Sequence, residues 1–170
     1  MDILLLLARL LHIVLGTFWA GTMIFNAVFL APAFQDVGPD AAKVAGALVR
    51  RRFMTIMPIV ALVTILSGFW LYWRLSGGFD SGYMGSRQGQ TLGMGAVAAL
   101  VAFVIGISIV RPAMMRSGAL GQRAAQAAGA ERDALLAQVK AQRARSTLAG
   151  RWVAGLLTLA LAAMALARYV

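Results

Sequence analysis

A chain of 170 residues in which 61% are hydrophobic and only 13% charged is too oily for a soluble domain and fits a single membrane unit. Its net charge of +10 would suit nucleic acid, but the basic residues are sorted by loop in the way insertion into a bilayer demands, so nucleic acid is not the expected partner. The absence of cysteine removes disulfides, thiolate metal sites and thiol nucleophiles together.

The first predicted element is an almost unbroken apolar run over about 3–34, longer than the roughly 20 residues a helix needs to cross a bilayer. Inside it sit Arg9, the only histidine, His12, and Asn26. At 100° per residue Arg9, His12, Gly16, Trp19, Met23 and Asn26 share an arc of about 100°, while Leu7, Leu11, Phe18, Phe25 and Phe29 lie opposite. The polar stripe is expected to face other helices and the Leu/Phe stripe lipid, because isolated ionisable groups are costly in hydrocarbon. Ala31-Pro32-Ala33 superficially resembles a signal cleavage site, but the run is about twice a signal core in length and its Met1-Asp2 leader lacks positive charge, so the segment is expected to be retained.

A first loop follows, in which Asp40 after Pro39 is an expected helix N-cap. The second span covers about 53–74, starting beside Arg50, Arg51 and Arg52. Pro58 is expected to remove a backbone hydrogen bond one turn in, and Trp70, Tyr72 and Trp73 to form an interface belt. The next loop, SGGFDSGYMGSRQGQ, reads as flexible unless a partner orders it, with Phe79 and Tyr83 on a lipid or partner surface. The third span covers about 91–111 and carries Gly95, Ala99, Ala102 and Gly106, small residues that let helices approach closely. An alanine-rich basic connection over about 112–147 reads as amphipathic or as a helical hairpin, its first half interrupted by Gly118, Gly121 and Gly129, with Lys140, Arg143 and Arg145 on a lipid or partner surface. The fourth span covers about 148–168.

Lys43, Arg50, Arg51 and Arg52 lie in the first loop, and Arg111, Arg116, Arg123, Arg132, Lys140, Arg143, Arg145 and Arg151 in or beside the third. Only Arg9, Arg74, Arg87 and Arg168 fall on the other side, which places loops one and three in the cytoplasm and both termini outside. The expected fold is an all-α antiparallel four-helix bundle, one transmembrane domain over residues 1–170, with anionic lipid as the counter-charge.

No carboxylate is expected inside the bundle: Asp2, Asp36, Asp40, Asp80, Glu131 and Asp133 all fall at the N-terminus or in loops. A metal hydrolase, an intramembrane carboxylate relay and a Ser/His/Asp arrangement each lack their parts, so no catalytic or metal-ligating set is assigned. His12 lies about 14 Å below Ile3 by helical rise, near the level of Thr64 and Thr158, either of whose hydroxyls could hydrogen-bond to the imidazole. Haem b bound through His12 remains open, with Met164 the methionine closest in depth.

The string ARLLHIVLGTFWAGTMIF, with His12, Gly16, Trp19, Gly21 and Phe25, together with SGFWLYW in the second helix, resembles small bacterial membrane proteins of the copper-resistance D family. A similar opening occurs in the small membrane protoporphyrinogen oxidases. The resemblance implies a helical bundle in the bacterial inner membrane, with His12 matching the family's first-helix histidine, a haem or copper ligand. The chain departs from a copper-handling pattern by lacking a second histidine.

Three readings follow. The first is a non-catalytic membrane protein serving as an accessory or stabilising subunit of a larger inner-membrane, electron-transport type complex, with the stripe from Arg9 to Asn26 as a packing or partner seam. The second is a haem-associated redox protein using His12 as axial ligand. The third is a small oligomeric transporter, disfavoured because Arg9 is its only membrane-embedded charge.

Overall fold

In the computed structural model, which describes residues 2–170, the chain is 92% helical, with no strand among the described residues. The helices are α1 (Ile3–Asp36), α2 (Ala41–Arg50), α3 (Phe53–Leu75), α4 (Ser81–Gly85), α5 (Arg87–Gln126) and α6 (Gly129–Tyr169). Four of them, α1, α3, α5 and α6, are long and apolar enough to cross a membrane.

Helix α1 starts where Asp2 caps it: Oδ1 accepts from the Leu4 and Leu5 N–H groups at 3.1 and 3.4 Å. The other oxygen of Asp2 accepts from Arg74 Nη2 at 2.8 Å, so the first residues of α1 are clasped to the last turn of α3. Further along, Gly16 faces Thr64 and His12 lies against Gly68, so these helices pack side by side in opposite directions. Helices α5 and α6 form a second close pair, in which a Cβ at Gly95 would meet the Ala163 Cβ at 3.1 Å and the Ala160 carbonyl at 3.3 Å. Between the pairs lies a core of Trp19, Ala20, Ala61, Ala102, Val153 and Leu157, with Ala102 fully enclosed. Half of these are alanine, which suits helices in lipid: hydrocarbon is as apolar as leucine, so close van der Waals contact does the holding. Leu7, Leu11, Phe18, Phe25 and Phe29 are all exposed, on the face the periodicity assigns to lipid.

Helix α5 runs on past the expected third span to Gln126, and α6 starts at Gly129, well before the expected fourth span, so the helical-hairpin form of the connection is the one present. The connection is therefore the two helices themselves, turning at Ala127 and Ala128, both extended, with Gly129 at φ 53°. Alanine-rich sequence propagates helix well, and Ala113, Ser117 and Ala124 are buried in the same pairing as Leu135, Val139 and Ala149. At 40 residues α5 is about 60 Å long, roughly twice the thickness of a hydrocarbon core. Asp40 precedes α2 but makes no side-chain cap; its carboxylate pairs with Lys43 at 2.7 Å, fully in the open.

Two π turns interrupt the long helices, Asn26–Leu30 in α1 and Gly106–Val110 in α5. In each, the residue after the turn donates five residues back, Ala31 to the Asn26 carbonyl and Arg111 to the Gly106 carbonyl, and a proline follows immediately. Pro32 and Pro112 bring no N–H to the ladder, and widening the preceding turn is how each helix accommodates the missing donor.

Candidate functional site: the first-helix seam

His12 occupies a slot made by glycine. A Cβ built on Gly68 would lie 2.5 Å from the imidazole Cε1 and 2.9 Å from Nδ1, so the ring fills the space that a side chain at position 68 would take. Nδ1 lies 2.8 Å from the Thr64 carbonyl oxygen. A carbonyl only accepts, so Nδ1 carries the proton; in the neutral ring Nε2 keeps its lone pair, and it has no hydrogen-bond partner among the described residues. The neighbouring Ser67 hydroxyl donates to the Val63 and Thr64 carbonyls at 2.7 and 3.0 Å and sits 3.5 Å from Nδ1. The partner is thus the backbone of Thr64 rather than either candidate hydroxyl: Thr64 Oγ1 donates to the Val60 carbonyl and Thr158 Oγ1 to the Ala154 carbonyl, each one turn back on its own helix.

Along the rest of the seam, Gly16 lets Thr64 approach, its Cβ position being 3.2 Å from Thr64 Cγ2. Trp19 is only 5% exposed in the core, and Met23 packs half-buried against that core. Asn26 opens the π turn, half-buried, and its side chain has no hydrogen-bond partner among the described residues. Arg9 departs from the expectation: it is exposed and forms no ion pair among the described residues. It stands at the edge of the arc, about 60° from His12, where a long arginine side chain near a helix end can reach toward the membrane surface.

At the far end of the seam, where α1, α3 and α5 diverge, lies a mostly apolar cavity of about 70 Å³ open on one side. Met23, Met54, Met57 and Met114 line it, with Asn26 and Arg111 as its polar members. Pro58 has no N–H to give the carbonyl of Met54 four residues back, and Arg111 from α5 donates its Nε–H to that same oxygen at 3.2 Å. One backbone acceptor freed by a proline on α3 is thereby satisfied by an arginine directly after the π turn of α5.

No protein-family model, curated protein sequence or solved structure matches this chain. Its chemistry therefore rests on the residues themselves. No group of three or more His, Cys, Asp or Glu residues that would hold a metal occurs among the described residues.

The remaining predicted positions do not gather at the seam. Lys140, Arg143 and Arg145 are exposed on α6, and Met164 is half-buried without a hydrogen bond to His12 among the described residues. The loop that reads as flexible is ordered by its own aromatics. Phe79 packs on Phe69 and Tyr72 at 5.3 and 6.1 Å between ring centres, and Tyr83 meets Tyr72 edge-on at 6.2 Å. Ser76 Oγ accepts from the Phe79 N–H and Asp80 caps α4 by accepting from the Tyr83 N–H, both at 2.9 Å. Tyr72 O–H donates to the Gly89 carbonyl at 3.0 Å, pinning the start of α5. Phe79 adopts φ 66°, left-handed backbone that a bulky side chain avoids, and its aromatic contacts offset that strain. The Tyr83 hydroxyl is enclosed without a partner, and burial, then the nearby Tyr72, pushes its pKa above 10.0. Tyr83 is half-buried, while Phe79 packs on its aromatic neighbours and stays exposed on its other side.

Proposed function

We propose that the four spans form an antiparallel bundle in a bacterial inner membrane, with both termini and the 76–86 loop outside and the α1–α3 and α5–α6 connections in the cytoplasm. The chain serves there as a non-catalytic accessory subunit of a larger, electron-transport type complex. One observation carries this reading. Gly155, Thr158, Ala162 and Ala165 fall on one face of α6 at spacings of three and four residues and are all exposed, so the fourth span turns a stripe of small residues outward. Lipid gains nothing from such a stripe, whereas another helix approaches closely along it. The distribution of basic residues supports the orientation. The resemblance of the first two spans to copper-resistance D-like proteins agrees with the inner membrane. The test is extraction from native membranes in mild detergent followed by native mass spectrometry: stoichiometric membrane partners are expected, and a chain recovered alone or only with itself refutes the subunit reading.

A second reading is favoured by the His12 geometry. An imidazole whose Nδ1–H is fixed by a backbone carbonyl and whose Nε2 lone pair is free fits the requirement for an axial ligand to haem b, which would supply one-electron chemistry. The cavity at the far end of the seam does not include His12, so the macrocycle would need walls from a partner subunit. Visible spectra with and without reductant decide it: a Soret band lost in His12→Ala supports the ligand role, and no band after haem supplementation of the intact complex removes it.

A further inference from the structure

The cavity beside Asn26 and Arg111 is unused by either functional reading, and its chemistry is specific. It is walled by apolar side chains yet carries two polar groups without a complete set of partners. Arg111 spends only Nε on the Met54 carbonyl; both terminal nitrogens of its guanidinium have no partner among the described residues. The Asn26 amide has none either. At about 70 Å³ the cavity is far below the roughly 300–1,000 Å³ of a small-molecule pocket, so it suits a stretch of flexible chain rather than a rigid cofactor.

Charge selects the kind of chain. Phe53 and Met54, two of the lining residues, directly follow Arg50, Arg51 and Arg52, and none of these arginines nor Arg111 forms an ion pair among the described residues. Positive charge continues along the α5–α6 hairpin through Arg116, Lys140, Arg143 and Arg145, but of these cations Arg111 is the one that lines the cavity. A cation with free terminal nitrogens set in an otherwise apolar lining selects an occupant that is anionic at one end and apolar along the rest, which favours an anionic lipid.

We propose that this cavity seats one anionic phospholipid. Its phosphate is held by the free terminal nitrogens of Arg111 with Arg50–Arg52 nearby, a glycerol ester carbonyl accepts from the Asn26 amide, and part of an acyl chain fills the cavity among Met23, Met54 and Met57. The proposal rests on the chain spanning a bilayer and is independent of whether it is a subunit of a complex.

Trp19 lines the cavity and is its own reporter. With Trp70, Trp73 and Trp152 replaced by Phe, the protein is reconstituted in phosphatidylcholine vesicles containing phosphatidylglycerol or phosphatidylcholine with brominated chains. Brominated phosphatidylglycerol is expected to quench Trp19 at about one-fifth the mole fraction that brominated phosphatidylcholine needs, the preference one basic group at the membrane surface confers. Arg111→Gln is expected to abolish that preference and Arg111→Lys to keep most of it. A companion protein retaining only Trp73, distant from the cavity, is expected to show no preference. Equal quenching of Trp19 by the two lipids, or a preference that survives Arg111→Gln, overturns the site. Native mass spectrometry of the wild-type chain in a mixture of both lipids repeats the test without substitutions: one retained phosphatidylglycerol supports the site and equal retention of both lipids overturns it.

Discussion

Replacing Gly68 by alanine should disable the His12 slot, and the size of the effect follows from the geometry. The new Cβ would stand 2.5 Å from the ring Cε1 and 2.9 Å from Nδ1, against an ordinary contact of at least 3.4 Å. The ring or helix α3 must therefore move by about 1 Å, enough to stretch the 2.8 Å bond from Nδ1 to the Thr64 carbonyl beyond hydrogen-bonding range. Overpacking costs about 1–3 kcal/mol and a hydrogen bond within a membrane protein about 0.6, while alanine in place of helical glycine returns about 1, leaving a net loss of about 0.5–2.5 kcal/mol. Unfolding in mixed micelles by titration with SDS measures this, with Gly150→Ala as reference because nothing lies within 4 Å of its Cβ position. Gly150→Ala should be neutral or stabilising. In the His12→Ala background the clash is gone, so Gly68→Ala should cost little there. A Gly68→Ala protein as stable as Gly150→Ala, or single and double variants that simply add, refutes the slot.

Three further outcomes are expected. Arg111→Ala should destabilise the chain by about 0.5–2 kcal/mol by leaving the Met54 carbonyl without a donor, and Pro58→Ala, which returns an N–H to that carbonyl, should remove most of the penalty; a double-mutant cycle without coupling contradicts it. Tyr83 has its pKa raised in the folded chain, so above pH 10 the unfolded state loses a proton that the folded state keeps, and stability should fall as pH rises through that range; Tyr83→Phe should flatten the fall, read by unfolding at several pH values beside tyrosinate absorbance. Gly89→Ala should loosen the 76–86 loop, because a Cβ at position 89 would run into the backbone carbonyl of Tyr83; proteolysis or hydrogen exchange confined to that loop is the measurement, and unchanged protection contradicts the packing.

The four long apolar helices were legible because a run of apolar residues long enough to cross a bilayer is a property of composition and needs no knowledge of partners. Periodicity also sorted α1 correctly on its outer face, where Leu7, Leu11, Phe18, Phe25 and Phe29 are exposed. Arg9 shows the limit of the same reasoning, since a residue at the edge of an arc turns inward or outward according to which helix lies beside it. The helical hairpin between the last two spans was one of two open forms of the connection, because Gly118 and Gly121 weaken the helix signal; both have free space at their Cβ positions and lie within continuous helix, at a cost of about 1 kcal/mol each relative to alanine. The slot around His12 was hidden for a different reason. Gly68 is an ordinary glycine in SGFW until the register of α1 against α3 brings it opposite the imidazole. The π turns were equally silent, although Pro32 and Pro112 after apolar runs are the signal that marks them.

The accessory-subunit reading is tested most directly by a photo-crosslinking amino acid placed at Ala162, on the outward stripe of α6, and at Val97, an exposed position on α5 away from it. Irradiation in native membranes is expected to join Ala162 to a distinct membrane protein in high yield and Val97 mainly to lipid. Crosslinks from Ala162 to lipid alone, or the same products from both positions, would contradict it.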